Sequence, residues 1–544
     1  MINNYFLRLK NEFKDYNTSK LTKDFLAGIT VAAVALPLAL AFGVSSGADA
    51  GAGLITAIIA GIIIGGLGGA SYQISGPTGA MSAILITLSA SYGLQGVFVA
   101  SFLAGIFLLI CGLLKVGKLV SFIPSSVICG FTSGIAIIIA TGQIDNFFGS
   151  THQGSGVINQ FVSYITKGFN INLYSIMFGL LVVMIMVFLP KKINAIIPGS
   201  LIGIIVALII NMIFKFDVTV VGKIPTTLLP QVRLNLFNID FNNITNFVMP
   251  GISIAALGMI ESLLCGASAS KMKNETFDAN QELVAQGIGN MVIPFFGGVP
   301  ATAAIARTSV AIKAGGVTRL VSLFHSLALV ASMFLLGSFM SKIPLAALAG
   351  VLMVTAYRMN EWSLIKEMFV KKSKTSLGQF FVTMIATVIF DLTVAIIIGV
   401  VLAMLLFVVR NSDLSVSVSD VDTDRIDDDL VHHHQDTKMV YVSGPMFFGT
   451  KDMLISKLRE ILEGDVNNLI ISMRGVPSID ESAIEELKVI VERCKKRNVR
   501  VIFCGLQNQV LMSMHRYDLL DLIDDGDVTW DAISAIKLID KSYL

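Results

Sequence analysis

Charge is what this chain has least of. Asp, Glu, Lys and Arg together make up 14% of its 544 residues. Soluble domains carry about 25%, so a chain of this size cannot cover a water-facing surface. That excludes an ordinary soluble enzyme, a secreted disulfide scaffold and a disordered chain. Cysteine is rare as well. Cys111, Cys129, Cys265, Cys494 and Cys504 are scattered and lack CxxC spacing, so they read as reduced, buried thiols and not as a framework or a metal site. A net charge of +2 implies no bulk field for nucleic acid. Residues 1–23 lack an apolar h-region and a small-residue cleavage site, so no signal peptide is expected. Walker A, HExxH and well-placed GxSxG motifs are missing. Neither an enzyme nor a nucleotide-driven pump is therefore expected, and no cofactor is implied.

What fills the chain instead is apolar sequence: 54% hydrophobic residues, with a mean hydropathy of +0.76. A span needs about 20 apolar residues. Runs of that kind start near Asp24, Ala52, Gln95, Ser121, Tyr174, Ala195, Phe247, Gln281, Thr318, Pro344, Ser376 and Val394. Two shorter stretches follow Ser75-Gly76-Pro77-Thr78-Gly79-Ala80 and Gly297-Gly298-Val299-Pro300-Ala301-Thr302. Proline at a helix start loses no hydrogen bond, because first-turn N–H groups are unpaired anyway. Both stretches therefore read as half-helices that begin in mid-membrane, which brings the expectation to fourteen spans. Corresponding Gly/Pro-interrupted segments in two halves mark the binding site of a transporter built on inverted repeats.

The halves can be aligned. The offset that superimposes Pro300 on Pro77 sets Glu261 opposite Leu38, beside Pro37. Ile123-Pro124 with Gly130 likewise mirrors Ile343-Pro344 with Gly350. Two seven-span repeats are expected, about 24–215 and 247–410, in a transmembrane domain over 24–410. Lys and Arg crowd the loops on the N-terminal side, leaving Lys167, Lys215, Lys223, Arg233 and Lys342 for the other. Both termini are thus expected in the cytoplasm of a multi-pass protein of the cell (inner) membrane. Residues 411–437 are polar and acidic and read as a linker. A soluble alternation of strands and helices over 438–544 then predicts a small α/β domain on a mixed sheet.

Glu261 lies in the middle of an apolar run, where an ionised carboxylate costs several kcal/mol on the order of insertion scales. It must line a wet cavity, pair with a cation or stay protonated, which suits a proton or cation coupling site; the bland alternative is a structural pair. Arg307 stands two turns beyond the second half-helix start. It reads as a fixed positive charge for an anion or a partner of Glu261, against a snorkelling arginine. Unpaired N–H groups at the two half-helix starts offer an anion site, with Ser75, Thr78, Gly79, Thr302, Ala303 and Ala304 around it. Serine and threonine also serve simply to bind helices together. His325 is expected to pack, Asp391 to be solvated at a turn, and His432-His433-His434 to be a solvated tract.

Asp24-Phe25-Leu26-Ala27-Gly28-Ile29-Thr30-Val31, Ser75-Gly76-Pro77-Thr78 and Gly130-Phe131-Thr132-Ser133-Gly134 carry a resemblance. So do Ile260-Glu261-Ser262-Leu263-Leu264, Asn280-Gln281-Glu282-Leu283, Phe296-Gly297-Gly298 and Ala304-Ile305-Ala306-Arg307-Thr308. Over essentially its full length the chain resembles the SulP (sulfate permease) family, whose animal members form solute carrier family twenty-six. The resemblance implies a seven-plus-seven inverted repeat with core and gate domains, usually a dimer, and a cytoplasmic STAS domain. Val442–Gly449 and Val476-Pro477-Ser478-Ile479-Asp480 match that domain's pattern. Three positions depart. Leu38 stands where some bacterial members have a carboxylate. Glu261 and Cys265 stand where sodium-coupled bicarbonate members have Asp and Thr, which argues against sodium. Glu481 follows Asp480 where regulatory STAS proteins carry a phosphorylatable serine, which argues against a phospho-switch. The stretches around Glu261 and Arg307 look most like members that move C4-dicarboxylates with protons.

The expectation is a secondary active anion transporter, a proton symporter of sulfate working by an elevator-like movement. C4-dicarboxylate or bicarbonate transport, an anion channel and a sensor are the alternatives. The partners implied are a small inorganic or organic anion, protons, the bilayer, a second copy of the chain and a cytosolic protein at the STAS domain.

Overall fold

A computed structural model describes residues 2–118, 123–151, 157–194, 197–235, 244–390, 392–411, 414–421 and 436–542. Asp391, His432-His433-His434 and most of the acidic stretch lie outside the described residues. The chain divides into two compact units, residues 1–401 and 402–544.

The first unit is helical. It opens with α1 (Ile2–Glu12), α2 (Thr18–Ser45), α3 (Ala50–Leu67), α4 (Gly79–Leu113) and α5 (Ser125–Gly142). Next come α6 (Ile144–Phe148), α7 (Val157–Lys167), α8 (Leu173–Phe188), α9 (Lys191–Asn194) and α10 (Gly199–Phe214). The second half contains α11 (Thr245–Lys273), α12 (Ala279–Val292), α13 (Ile305–Lys313), α14 (Leu320–Met340) and α15 (Leu345–Met359). It closes with α16 (Trp362–Val370), α17 (Lys374–Ile389) and α18 (Leu392–Asn411), the helix in which the two units divide. Among the described residues six helical stretches are long and apolar enough to cross a membrane on their own, among them α2, α3, α4, α11 and α14; α8, α10, α15 and α17 are shorter apolar helices.

α4 is broken by a kink. Gly93 has φ 68° and ψ −177°, a conformation essentially confined to glycine. It separates the first short segment from the run expected near Gln95. Small residues let helices approach closely: a Cβ on Gly287 of α12 would lie 2.6 Å from the Leu109 nitrogen of α4. Pro124 and Pro344, the mirrored pair, occupy equivalent N-cap positions before α5 and α15.

The N-terminal segment is built into the unit. α2 begins at Thr18, ahead of the 23/24 boundary read from composition. Asp24 is wholly buried and caps the start of α14. Its carboxylate accepts from the amides of Val317 (2.6 Å) and Thr318 (3.1 Å), the Thr318 hydroxyl (2.5 Å) and the Tyr16 hydroxyl (3.0 Å). Glu12 of α1 pairs with Arg319 at 2.9 Å.

β1 (Ser75–Gly76) and β2 (Thr302–Ala303) belong to the first unit, and the second unit is a five-stranded sheet whose strands lie in chain order. Its strands are β3 (Ser415–Asp420), β4 (Thr437–Ser443), β5 (Asn468–Gly475), β6 (Arg500–Cys504) and β7 (Val528–Thr529). β3 pairs antiparallel with β4, and the other neighbours are parallel. Alternate residues of a strand face opposite sides. Val440, Val442, Leu469 and Ile471 pack on α19 (Lys451–Leu462) and α20 (Glu481–Lys496). Met439, Ile470 and Ile502 pack on α22 (Ala532–Ser542), while α21 (Asn508–Arg516) joins the first layer through Val510 and Met514. β3 corrects the reading of 411–437 as linker throughout. Its Ser-Val-Ser-Val-Ser alternation is a strand pattern on an exposed edge, outvoted in composition by the acidic residues around it. Asp480 caps α20 by accepting from Ala483 N (2.9 Å), and its other oxygen accepts from Phe448 N (3.0 Å).

The second unit has its own core, so a chain ending at Arg410 should still insert and bind anion. Affinity within a factor of about 3 of the full chain is the outcome expected of separable units, with transport rate or assembly altered. Complete loss of binding in a monodisperse truncation would contradict separability.

Candidate functional site

Two broken segments meet, buried, in the first unit. β1 (Ser75–Gly76) and β2 (Thr302–Ala303) pair antiparallel, Ser75 opposite Ala303 and Gly76 opposite Thr302. Ala304 N donates to Ile74 O at 2.9 Å, and Ile74 N donates to Thr308 Oγ1 at 3.0 Å. A strand edge inside a membrane protein needs a partner for its polar backbone; here each broken segment is the other's partner. β1 leads within three residues into α4 and β2 within two into α13, so both helix N-termini open at one crossing.

Thr78 is the N-cap of α4. Its Oγ1 accepts from Met81 N (3.4 Å) and donates to Glu261 Oε2 at 2.9 Å. The carboxylate of α11 is therefore tied to the very start of the first half-helix. One residue on, the Ser262 hydroxyl bonds the Thr302 hydroxyl (2.9 Å) and accepts from Ala303 N (3.2 Å). α11 thus touches both broken segments. Gly79 is packed: a Cβ there would meet Ile139 of α5 at 2.4 Å and Phe42 of α2 at 3.0 Å.

Arg307 does not snorkel. It is 1% exposed and reaches across the crossing, where Nη2 donates to Pro77 O. Its Nε and Nη1 have no partner. Glu261 and Arg307 interact electrostatically, yet no ion pair within 4.0 Å joins them among the described residues. A buried guanidinium with unused donors next to two helix N-termini is suited to a small anion.

Ser75 opens β1 and is 1% exposed. Its hydroxyl accepts from Gln286 Nε2 of α12 at 2.9 Å. Thr302, Ala303 and Thr78 lie at the crossing, and Ala304 is the residue before α13. His325 is wholly buried with neither ring nitrogen bonded, as a packing histidine would be. Among the described residues no group of three His, Cys, Asp or Glu could hold a metal.

The sequence reading missed the polar face of α12. Glu282, Gln286 and Asn290 recur every four residues on one side of the helix. Asn290 brackets Ala301, donating to its carbonyl (2.9 Å) and accepting from its amide (2.8 Å). Gln73 Nε2 donates to Ser262 O at 2.7 Å, and Thr56 Oγ1 accepts from Val299 N at 2.8 Å. The i, i+4, i+8 spacing of amide and acid residues in an apolar run was the available signal.

A helical membrane unit with two broken segments meeting at a buried arginine defines a membrane transporter. The sequence pattern of the sulfate permease family matches residues 21–386, and that of the STAS domain matches 430–533. The chain belongs to the sulfate permease family, as an anion transporter with a C-terminal STAS domain, and is not an enzyme. It is 34% identical over 525 residues to YvdB of Bacillus subtilis, which carries the name of a sulfate transporter, covering 95% of this chain and 97% of that one. It is 30% identical to the bicarbonate transporter BicA of Picosynechococcus, covering 94% of each. The inward-facing structure of the murine Solute Carrier 26 family member A9 anion transporter shares the fold, with TM-score 0.85 at 19% identity over 97% of this chain and 93% of that one.

Proposed function

We propose that the protein is a secondary active transporter that takes up sulfate with protons, as a homodimer in the cell membrane with both termini cytoplasmic. The anion binds at the β1–β2 crossing, between the N-termini of α4 and α13 and beside Arg307, within Ser75, Thr78, Gly79, Thr302, Ala303 and Ala304. Glu261 is the coupling residue. The observation that carries this reading is the 2.9 Å bond from Thr78 to Glu261: the group able to hold a proton touches the cap of the helix that would hold the anion. Transport is an elevator-like movement of a core domain against a gate, in two repeats of seven spans, with the STAS domain on the cytoplasmic side as a docking module. The 30% identity to BicA over 94% of each chain favours bicarbonate as the second reading, with C4-dicarboxylates the third.

Uptake of labelled sulfate, bicarbonate and fumarate into proteoliposomes, with and without an inward proton gradient, tests it. Saturable sulfate uptake accelerated by the gradient is expected. Uptake of none but bicarbonate would transfer the reading to that anion, and gradient-independent currents would make the protein a channel.

A further inference from the structure

Glu282 takes no part in the cycle proposed above, yet its carboxylate is wholly buried. Oε2 accepts from Gly69 N at 2.9 Å, and Oε1 accepts from Gln286 Nε2 at 2.9 Å. The same Nε2 donates to Ser75 Oγ, also at 2.9 Å. Gln286 is itself 0% exposed, and its Oε1 has no partner. Three residues therefore form one hydrogen-bonded chain that ends on the first residue of β1.

The chain has a direction. An ionised carboxylate accepts only, so Glu282 holds the NH2 end of Gln286 toward itself. That end in turn makes Ser75 an acceptor. The Ser75 hydrogen is left over, in a residue 1% exposed, and no acceptor for it lies within bonding distance among the described residues. We propose that Glu282 is a positioning residue whose proton occupancy, passed through the Gln286 amide, decides whether Ser75 gives or takes a hydrogen bond at the anion site. The inference rests on the reading that the anion binds at the β1–β2 crossing.

A protonated Glu282 becomes a donor. The unpartnered Gln286 Oε1 is the acceptor that a half-turn of the amide brings round to it. A carbonyl oxygen has two lone pairs, so the turned amide also takes the Ser75 hydrogen and withdraws it from the anion or from water ordered on it. Tyr72 from the segment before β1, Cys265 from α11 and Arg319 from the segment before α14 interact electrostatically with Glu282. α3 and α4 have no charged residue to offer it, and Arg319 is engaged by Glu12. Among the described residues no ion pair therefore locks Glu282 in one state.

Glu282→Gln mimics the protonated chain: its carbonyl accepts from Gly69 and its NH2 donates to Gln286 Oε1. The test is equilibrium binding of labelled sulfate to the purified full chain across pH, with bicarbonate and fumarate in parallel. Glu282→Gln should weaken binding about tenfold, the scale of one hydrogen bond to a charged group. In Ser75→Ala the chain has lost its end, so adding Glu282→Gln should weaken binding no further. Residues acting through one chain are non-additive in this way, whereas a residue that merely supports the fold through Gly69 would add its full loss; additive losses overturn the proposal. Binding to Glu261→Gln should still weaken as the pH falls, and binding to the Glu261→Gln, Glu282→Gln double variant should be flat. A Glu261→Gln protein already flat overturns the proposal too. Gln286→Met keeps the volume and breaks the chain without touching the Ser75 hydroxyl, so even if Glu282→Gln fails to fold, the Glu261→Gln, Gln286→Met double variant should bind with an affinity that is flat across pH; binding there that still weakens as the pH falls overturns the inference. If Ala303→Trp leaves binding intact, the anion sits elsewhere and the underlying reading fails. If Ala303→Trp abolishes binding while Glu282→Gln matches wild type, this inference alone falls.

Discussion

Ala303→Trp should abolish saturable anion binding, a loss of at least about 100-fold. Ala303 is 3% exposed and sits in register with Ser75, two residues before α13. Backbone N–H groups at the two helix starts supply much of the affinity in this reading, so substituting polar side chains one at a time would weaken binding only in part. Filling the space removes the site altogether. In this reading an indole in place of a methyl group takes the space of the anion. Overpacking costs about 1–3 kcal/mol in a close-packed interior, so folding is checked by size-exclusion profile and melting temperature. Ala303→Ser, which adds one hydroxyl, is the matched control and should stay within about tenfold of wild type, the range of a single changed hydrogen bond. Isothermal titration with sulfate, bicarbonate and fumarate reads the result. Unchanged affinity in well-folded Ala303→Trp would remove the anion from the crossing.

Glu261→Gln should retain binding and lose the acceleration of uptake by an inward proton gradient. Glutamine keeps the size of the side chain, and its carbonyl still accepts from Thr78 Oγ1, the bond that Glu261 makes at 2.9 Å. In the proposed cycle, what it gives up is the ability to take and release a proton. Leu38 occupies the repeat-related position, so the other half brings no second carboxylate to the task. Arg307 gives its one bond to Pro77 O and not to Glu261, so removing the charge at Glu261 leaves no broken ion pair. The measurement is proteoliposome uptake at varied internal and external pH. Gradient dependence equal to wild type in the Gln protein would make Glu261 a structural acceptor for Thr78.

Much of this protein is written locally. Scarce charge and long apolar runs place most of it in lipid, because nothing else offers solvent for such a surface. Pro77 and Pro300 mark breaks in the apolar runs because proline beyond the first turn costs a helix a hydrogen bond, and the chain leads from them into α4 and α13. Short apolar runs mark β4, β5 and β6 of the STAS domain, since parallel strands covered on both faces are apolar almost throughout. Glu261 and Arg307 stood out because a charge in an apolar run is costly wherever the chain leads. The same local logic failed at β3, whose short Ser-Val alternation was outweighed by the acidic residues around it.

Which group meets which was decided only by the tertiary structure. Thr78 and Glu261 are 183 residues apart, and Gln286 and Ser75 are 211 apart. Nothing in either neighbourhood names the other. The antiparallel crossing of β1 with β2 exists because each broken segment must satisfy backbone groups that lipid cannot. Packing of α11 and α12 against that crossing then chooses the side-chain partners. The sequence by itself determined that a costly carboxylate, an arginine and two helix starts lie within the membrane. That they share one point, with Glu282 wired to it through Gln286, follows from how the helices pack.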